Sequence, residues 1–475
     1  MTTDLLRWPV VGPVLRWRRF RTAAQIVMLV VAIAVIAHGL LGPQLAPRNL
    51  STVLSWIHYR GLLIGALLAA GNALCGACPM ILVRDVARRL HTPTRHWPRW
   101  LGRKWVALVL FAGVLFAYEL YDLWAWPAAT AWLVIGYFGA AVLVDVLFTG
   151  AAFCKHVCPV GQFNFIASTL SPLEVRVREQ STCSACTTVD CIKGRRDQAA
   201  PAIVVQRGCE LALFLPSKVG NLECTFCLDC VQACPHDNVA IDMRIAGEEL
   251  VDDRPRSVIG RLSRRPDLAV LSLLFTFGAL LNAFAMTGPV YALQQWLSNA
   301  LGTNSEAVVL GVIFVAGLAV IPLMFTMAAA ALTGFLAASP MRIGEIAVRY
   351  AYALVPIGAG IWLAHYSFHF LTAIWTVIPV AQSAAIDLTG YPLLGDADWR
   401  WIGLRTGIVF PLQIGAVLLG MLGSFLLVHS ISERDYASRA QRAAVPWNMI
   451  VTALTIAALW TIAQPMEMRG TGFGG

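Results

Sequence analysis

The sequence predicts an all-α polytopic membrane protein of about nine transmembrane helices, interrupted by one polar α+β segment. Three observations predict it. Of 475 residues, 58% are hydrophobic and only 13% charged, whereas soluble domains carry about a quarter charged residues. Apolar runs of ~20 residues, the length that crosses a bilayer, recur along the chain. Between two groups of such runs, residues 171–250 are polar and contain eight of the twelve cysteines.

The apolar runs lie at 23–42, 58–75, 105–126, 128–149, 268–290, 306–335, 347–375, 406–428 and 447–464. The first is longer than the core of a signal peptide and no small-residue cleavage site follows it, so it is expected to be an anchor. Four regions follow: an N-terminal membrane domain of four helices (1–170), the polar cysteine-rich segment (171–250), a basic linker (251–266) and a C-terminal membrane domain of about five helices (267–475). Orientation comes from lysine and arginine. Arg7, Arg16, Arg18, Arg19 and Arg21 precede the first run, and Arg84, Arg88, Arg89, Arg95, Arg99, Arg103 and Lys104 follow the second. The alternate loops are poor in positive charge: 291–305 has none and 380–404 only Arg400. The N-terminus and the polar segment are therefore expected on the cytoplasmic face of a bacterial inner membrane, with the C-terminus outside. This asymmetry accounts for the net charge of +9, and no basic-aromatic module supports nucleic-acid binding. The arginine-rich linker is expected to rest on anionic membrane lipid.

All twelve cysteines lie between positions 75 and 234, none in a segment placed outside. Thiols on the reducing side of a membrane serve metal binding or redox chemistry more than disulfides. Residues 224–235 form a C-x2-C-x2-C-x3-C-P run. Three thiolates from one tight loop and a fourth from elsewhere suit the tetrahedral demand of a cubane, and in two-cluster ferredoxins the cysteine before the proline serves the other cluster. The segment is thus expected to be a ferredoxin-like insert with two 4Fe–4S clusters. Cys209, Cys224, Cys227 and Cys230 would hold one, and Cys183, Cys186, Cys191 and Cys234 the other. In the first half the spacing departs from the run, since four residues stand between Cys186 and Cys191 and no proline follows Cys209. The competing assignment is structural zinc, which C-x2-C pairs also serve.

The other four cysteines come in two Cys-Pro motifs, CGACP (Cys75, Cys78) and CKHVCP (Cys154, Cys158), each at the end of an apolar run. They would meet at one membrane depth and hold a third iron–sulfur cluster or a transient metal, unless the prolines merely end the helices and the thiols are small buried hydrophobes. Two such motifs followed by a two-cluster segment resemble the polyferredoxin group that includes NapH, NosR, MauN and CcoG. The motif there is usually C-x3-C-P; CKHVCP matches it, the continuation VGQF resembles the group's VGAL-type sequence, and CGACP is one residue shorter. The resemblance covers about residues 50–245. It implies electron transfer between membrane quinol and redox partners through cytoplasmic clusters. NosR-type members carry a covalent flavin in an external domain; without a comparable external segment, no covalent FMN is expected here.

The C-terminal half has candidates of its own. HYSFH places His365 and His369 four residues apart on one helix face, towards the outer surface. His38 and His58 fall at outer span ends, and Met466 and Met468 in the tail. Imidazole suits haem iron and thioether suits Cu(I), so haem b or copper is a candidate cofactor, set against interfacial histidines held by ordinary hydrogen bonds. Glu119 and Asp122, three apart on one side of the third span, and Asp145 in the fourth lie within spans, where acids mark proton paths or pack helices together. His156 and His236, beside cluster cysteines, are expected to support the site rather than ligate. The function expected is a membrane-bound iron–sulfur electron-transfer protein of quinol-dehydrogenase type, relaying electrons between quinol or an embedded donor and another redox protein or complex subunit. Two alternatives are a copper-handling assembly factor or metal reductase for an oxidase, and a redox-sensing scaffold.

Overall fold

A computed structural model describes residues 4–197 and 204–465. The chain is mostly helical, and two compact units share it, each assembled from separated segments. One comprises the N-terminal residues to Val31, Ala66–Ala107 and Tyr137–Arg265; the other comprises Ala32–Gly65, Leu108–Gly136 and the chain from Pro266 onward.

Among the described residues, seven helical stretches are long and apolar enough to cross a membrane: Phe20–Leu41, Leu50–Ala70, Pro127–Leu147, Pro266–Phe284, Glu306–Leu336, Ile343–Thr372 and Thr406–Ile462. The run at 105–126 forms a shorter helix, Trp105–Leu120. It stops because Asp122 takes a left-handed conformation (φ 43°), which ends an L-residue helix. The last stretch holds two helices, Thr406–Tyr436 and Ala440–Ile462, separated at Ala437 (φ 44°).

In the first unit, strand β1 (Leu173–Val177) is followed by the short strands β2 (Arg195–Arg196) and β3 (Val204–Gln206), which pair with each other, and by β4 (Val239–Met243). β1 and β4 are antiparallel, with Leu173 opposite Met243 and Val177 opposite Val239. The alternation of β-branched residues sends Val175 and Ile241 into one buried cluster with Leu6, Leu215, Phe226, Leu228, Val231 and Val239. Cys191, Cys224, Cys230 and Cys234 pack against that cluster. Asp4 ties the N-terminal turn to the ribbon, accepting from the backbone N–H of Ile241 (3.2 Å) and from Arg178 (2.9 Å). Of the arginines in the basic linker, Arg256 is turned inward, donating to the carbonyls of Glu249 and Asp252.

The second unit is packed through its helices. Val355–Thr372 and Thr406–Tyr436 approach closely at Gly360 and Gly420. A Cβ on Gly360 would lie 2.6 Å from the carbonyl oxygen of Ala416, and one on Gly420 would lie 2.6 Å from that of Pro356. Small residues at a helix crossing permit this backbone approach. Trp362 is fully buried and donates its indole N–H to the carbonyl of Phe275 (2.9 Å).

Candidate metal centre

The eight cysteines of the polar segment fall into two groups in space. Cys183, Cys186, Cys191 and Cys234 line one small cavity, together with His236 and Asn238. Cys209, Cys224, Cys227 and Cys230 line another. The grouping crosses the sequence, taking Cys234 away from its own run. Local backbone makes this geometry. Phe226 and Leu228 have positive φ (51° and 61°), so the chain curls back between successive cysteines, and Glu223 (64°) turns it just before Cys224. Val189 (φ 53°) does the same before Cys191. Such conformations persist where surrounding structure over-determines them.

Donors converge on the sulfurs. Asn238 gives its side-chain amide to Cys183 Sγ (3.2 Å) and its backbone N–H to Cys234 Sγ (3.4 Å). The Val189 N–H and the Thr188 hydroxyl, with His236 nearby, draw the Cys186 thiol down to about 7. The opposite holds in the interior. Burial, with neighbouring Cys234, pushes Cys191 up to about 11, and burial with Asp229 pushes Cys227 higher still. Among the described residues, no three His, Cys, Asp or Glu side chains converge as tightly as a single metal ion requires.

The two Cys-Pro motifs have a common local form. Cys78 precedes the helix Pro79–Leu90 and Cys158 precedes Pro159–Ala167, each at the N-cap with proline in the first turn. The prolines thus open helices rather than end them, as expected where the missing N–H has no intrahelical partner to lose. Backbone N–H groups of the new helix turn to the sulfur: Gly161 lies 3.2 Å from Cys158 Sγ, and Met80 and Ile81 face Cys78. Asn164 donates to Cys75 Sγ at 3.0 Å. The four thiols feel one another. Burial first, then Cys78, pushes Cys75 up to about 12, and Cys154 and Cys158 are raised by burial and by their neighbours in the same quartet.

Ion pairs that the sequence did not single out frame these thiols. Arg21 pairs with Asp229 and with Glu210 (3.2 Å), and Arg84 pairs with Glu210 (3.1 Å) and Asp85 (2.8 Å). Burial alone would raise the Glu210 carboxyl, but Arg84 and Arg21 overcome it and hold it down to about 2. Asp145, expected on a proton path, accepts from the backbone N–H of Phe153 (2.8 Å) and faces Arg84 (3.4 Å), so it caps the turn that carries Cys154. His156 stacks on Trp97, ring centroids 5.2 Å apart.

In the second unit the histidines divide. His38 has both nitrogens engaged, Nε2 with Asp387 (3.1 Å) and Nδ1 with the backbone N–H of Leu50 (3.0 Å). His58 faces the carbonyls of Val53 and Ile374. His365 and His369 lie with ring centroids 4.9 Å apart. Among the described residues, neither nitrogen of His365 and not Nε2 of His369 has a hydrogen-bond partner. Glu119 sits in the last turn of its helix, whereas Asp122 falls beyond it in the left-handed turn, so the two do not share a helix face. Met466 and Met468 lie outside the described residues. Arg60 was missed by motif reading, although an arginine inside an apolar run is a signal in itself. Its guanidinium carbon lies 4.2 Å from the ring centroid of Tyr118 and 4.4 Å from that of Trp56.

Fold and site together define a class: a mostly helical protein, with helices fit to cross a membrane, whose polar segment gathers thiols in fours. Several known proteins are similar to part of the chain. The chain is 28% identical over 193 residues to the regulatory protein NosR of Pseudomonas aeruginosa, a match covering 36% of this chain and 24% of that one. It is 28% identical over 148 residues to the methylamine utilization ferredoxin-type protein MauN of Methylorubrum extorquens (25% and 46% covered). It is 24% identical over 191 residues to the ferredoxin-type protein NapH of Escherichia coli (37% and 64% covered). The matching part spans from about a quarter to just under two thirds of the length of these relatives. The resemblance drawn from the Cys-Pro motifs and the C-x2-C run is thus to the same group of proteins. No family model matches the chain, and no solved structure matches it.

Proposed function

We propose that this protein is a membrane-bound electron carrier with two 4Fe–4S clusters, passing electrons between membrane quinol, or another embedded donor, and a redox partner. The observation that carries the proposal is the division of eight cysteines into two cavities of four, with Cys234 crossing to the distant group. Cys209, Cys224, Cys227 and Cys230 would hold one cluster, and Cys183, Cys186, Cys191 and Cys234 the other. Such clusters supply one-electron uptake and release at potentials tuned by hydrogen bonds, charge and solvent exposure. The residues around them are suited to that tuning. Asn238 donates to two sulfurs of one group, and a donor to sulfur favours the more negative, reduced state. Arg21 places positive charge beside Cys227, with the same sign of effect. Val175 and Leu215 exclude water from the other group.

Zinc, which C-x2-C pairs also serve, is disfavoured because the full C-x2-C-x2-C-x3-C-P run is the pattern of cubane ligation. A cluster spreads its ligands around a larger body. The Cys-Pro quartet, half-buried and mutually adjacent, fits a third centre, either a further cluster or a transient metal. The ferredoxin-like insert is the segment 171–250, whose ends β1 and β4 pair. The arginine-rich first loops support a position for this segment and the N-terminus on the cytoplasmic side of a bacterial inner membrane.

The test is iron and acid-labile sulfide per chain, on protein purified in detergent without oxygen. About eight of each is expected for two cubanes, and ten to twelve with a third centre. Cys186→Ser and Cys227→Ser should each remove about four irons, independently. Near-zero iron with stoichiometric zinc would overturn the proposal.

A further inference from the structure

The second unit contains a cavity of about 580 Å³ walled mainly by apolar and aromatic side chains, a size typical of sites for small molecules and cofactors. Three groups of different chemistry line it: Arg60, Glu119 and His369. Arg60 is held against Tyr118 and Trp56. Trp56 is itself fixed, its indole N–H donating to the Leu123 carbonyl (3.0 Å) and the Thr130 hydroxyl (2.9 Å). His369 is buried, and its Nε2 lacks a hydrogen-bond partner among the described residues, as do both nitrogens of the adjacent, fully buried His365. Buried polar atoms without partners are costly and call for explanation; a ligand that brings hydroxyl or carbonyl oxygens supplies one.

We propose that this cavity binds the head group of a membrane quinol, with His369 and Glu119 as the groups that meet its ring oxygens. The inference rests on the electron-carrier function proposed above and names the place where its donor binds. A flat, uncharged ring with an apolar tail matches aromatic walls in a helical unit fit for a membrane. A lipid acyl chain alone would leave the buried Nε2 of His369 unsatisfied. A haem needs a second histidine facing His369, and the nitrogens of His38 and His58 are engaged elsewhere. Oxidation of the bound quinol breaks two O–H bonds and yields quinone, two electrons and two protons. The iron–sulfur clusters of the proposed function, if bound, would supply one-electron uptake for the two electrons, and His369 and Glu119 would accept the protons.

The experiment uses the full chain in detergent, titrated with decylubiquinone and, separately, menadione, and follows quenching of tryptophan fluorescence against empty micelles. Trp56, Trp124, Trp399 and Trp401 line the cavity, so saturable quenching by one of the two quinones is expected. His369→Ala should weaken binding roughly tenfold, the scale of one lost hydrogen bond. His369→Gln, which keeps a polar end, should recover part of it. His429→Ala, at an exposed position, should bind as the unaltered chain does and serves as the folding control. Iron, sulfide and bleaching by dithionite are measured on the same samples. If the clusters are present and bleach but quenching is unsaturable, or indifferent to both His369 variants, the cavity assignment is wrong and the electron carrier stands. If iron is absent while saturable, His369-dependent quenching persists, the quinone site stands and the electron-carrier proposal falls. A haem spectrum lost in His369→Ala would also overturn the quinol assignment.

Discussion

Lys104 and Glu223 are each 2% exposed, and their charged ends lie 2.7 Å apart. Neither charge is comfortable alone. Burial lowers the affinity of Lys104 for its proton, and Glu223 opposes that effect. A buried pair is a weak source of net stability, but breaking one strands a charge, at a cost of roughly 3–5 kcal/mol. Lys104→Met should therefore lower stability on that scale, and Lys104→Met with Glu223→Gln should recover most of it, read from urea unfolding in detergent. Equal losses in the single and double variants would show that the pair is not the cause. Gly220 makes a second case. Its φ is 68°, and a Cβ there would stand 1.6 Å from Glu249 Oε2. That carboxylate accepts the backbone N–H groups of Asn221 (2.9 Å) and Leu222 (3.3 Å) and is held by Arg244 (3.2 Å). Gly220→Ala must both strain the backbone and displace Glu249 from the turn that leads to Cys224. A loss of at least about 2 kcal/mol is expected in the same unfolding assay.

At the scale of elements, one ribbon and one side chain serve both thiol groups. Val177 and Val239 line the cavity of Cys183, Val175 lines that of Cys224, and Leu215 lines both. Leu215→Ala should cost about 2–5 kcal/mol by the cavity it leaves. It should also admit water to both groups, so that the iron–sulfur absorption decays faster in air than in the unaltered chain. Val204→Ala, at an exposed position, should leave that decay unchanged. The same elements show what a sequence can and cannot display. The C-x2-C-x2-C-x3-C-P run was legible because a tight turn is encoded by local spacing alone, and most apolar runs correspond to helices for a similarly local reason. The prolines of the Cys-Pro motifs were harder. Proline both stops a helix and starts one, and only the backbone on either side of Cys78 and Cys158 decides that here it starts one. Asp122 left the helix face expected for it because a single left-handed residue outweighed a continuous apolar pattern. The cavity around Arg60 draws on residues from 46 to 402, and no local spacing encodes a site whose walls lie so far apart in the chain.

For the molecule as a whole, the two units are stabilised by different means, and metal removal should separate them. The second unit is built largely of long apolar helices with buried side chains such as Trp362, Trp447 and Phe275, and its packing owes nothing to thiols, since every cysteine lies in the first unit. In the first unit, the cluster around β1 and β4 contains eight buried hydrophobic residues, with Cys191, Cys224, Cys230 and Cys234 packed on its border. A core of that size in so polar a segment is of the kind that small domains reinforce with a metal or with disulfides, and the free energy of metal binding then becomes free energy of folding. Iron stripped with bipyridyl under dithionite should therefore loosen the segment 171–250 first. Trypsin should then cut at Lys193, Arg207 and Lys218, fragments being assigned by mass spectrometry, while the helices from Pro266 to Ile462 remain uncut. Reconstitution with iron and sulfide should restore resistance at the same three sites. Complete stripping with no new cleavage there would mean that hydrophobic packing and ion pairs such as Arg244–Glu249 suffice to hold the segment. The cysteines would in that case be free to tune a redox centre without also having to build the fold around it.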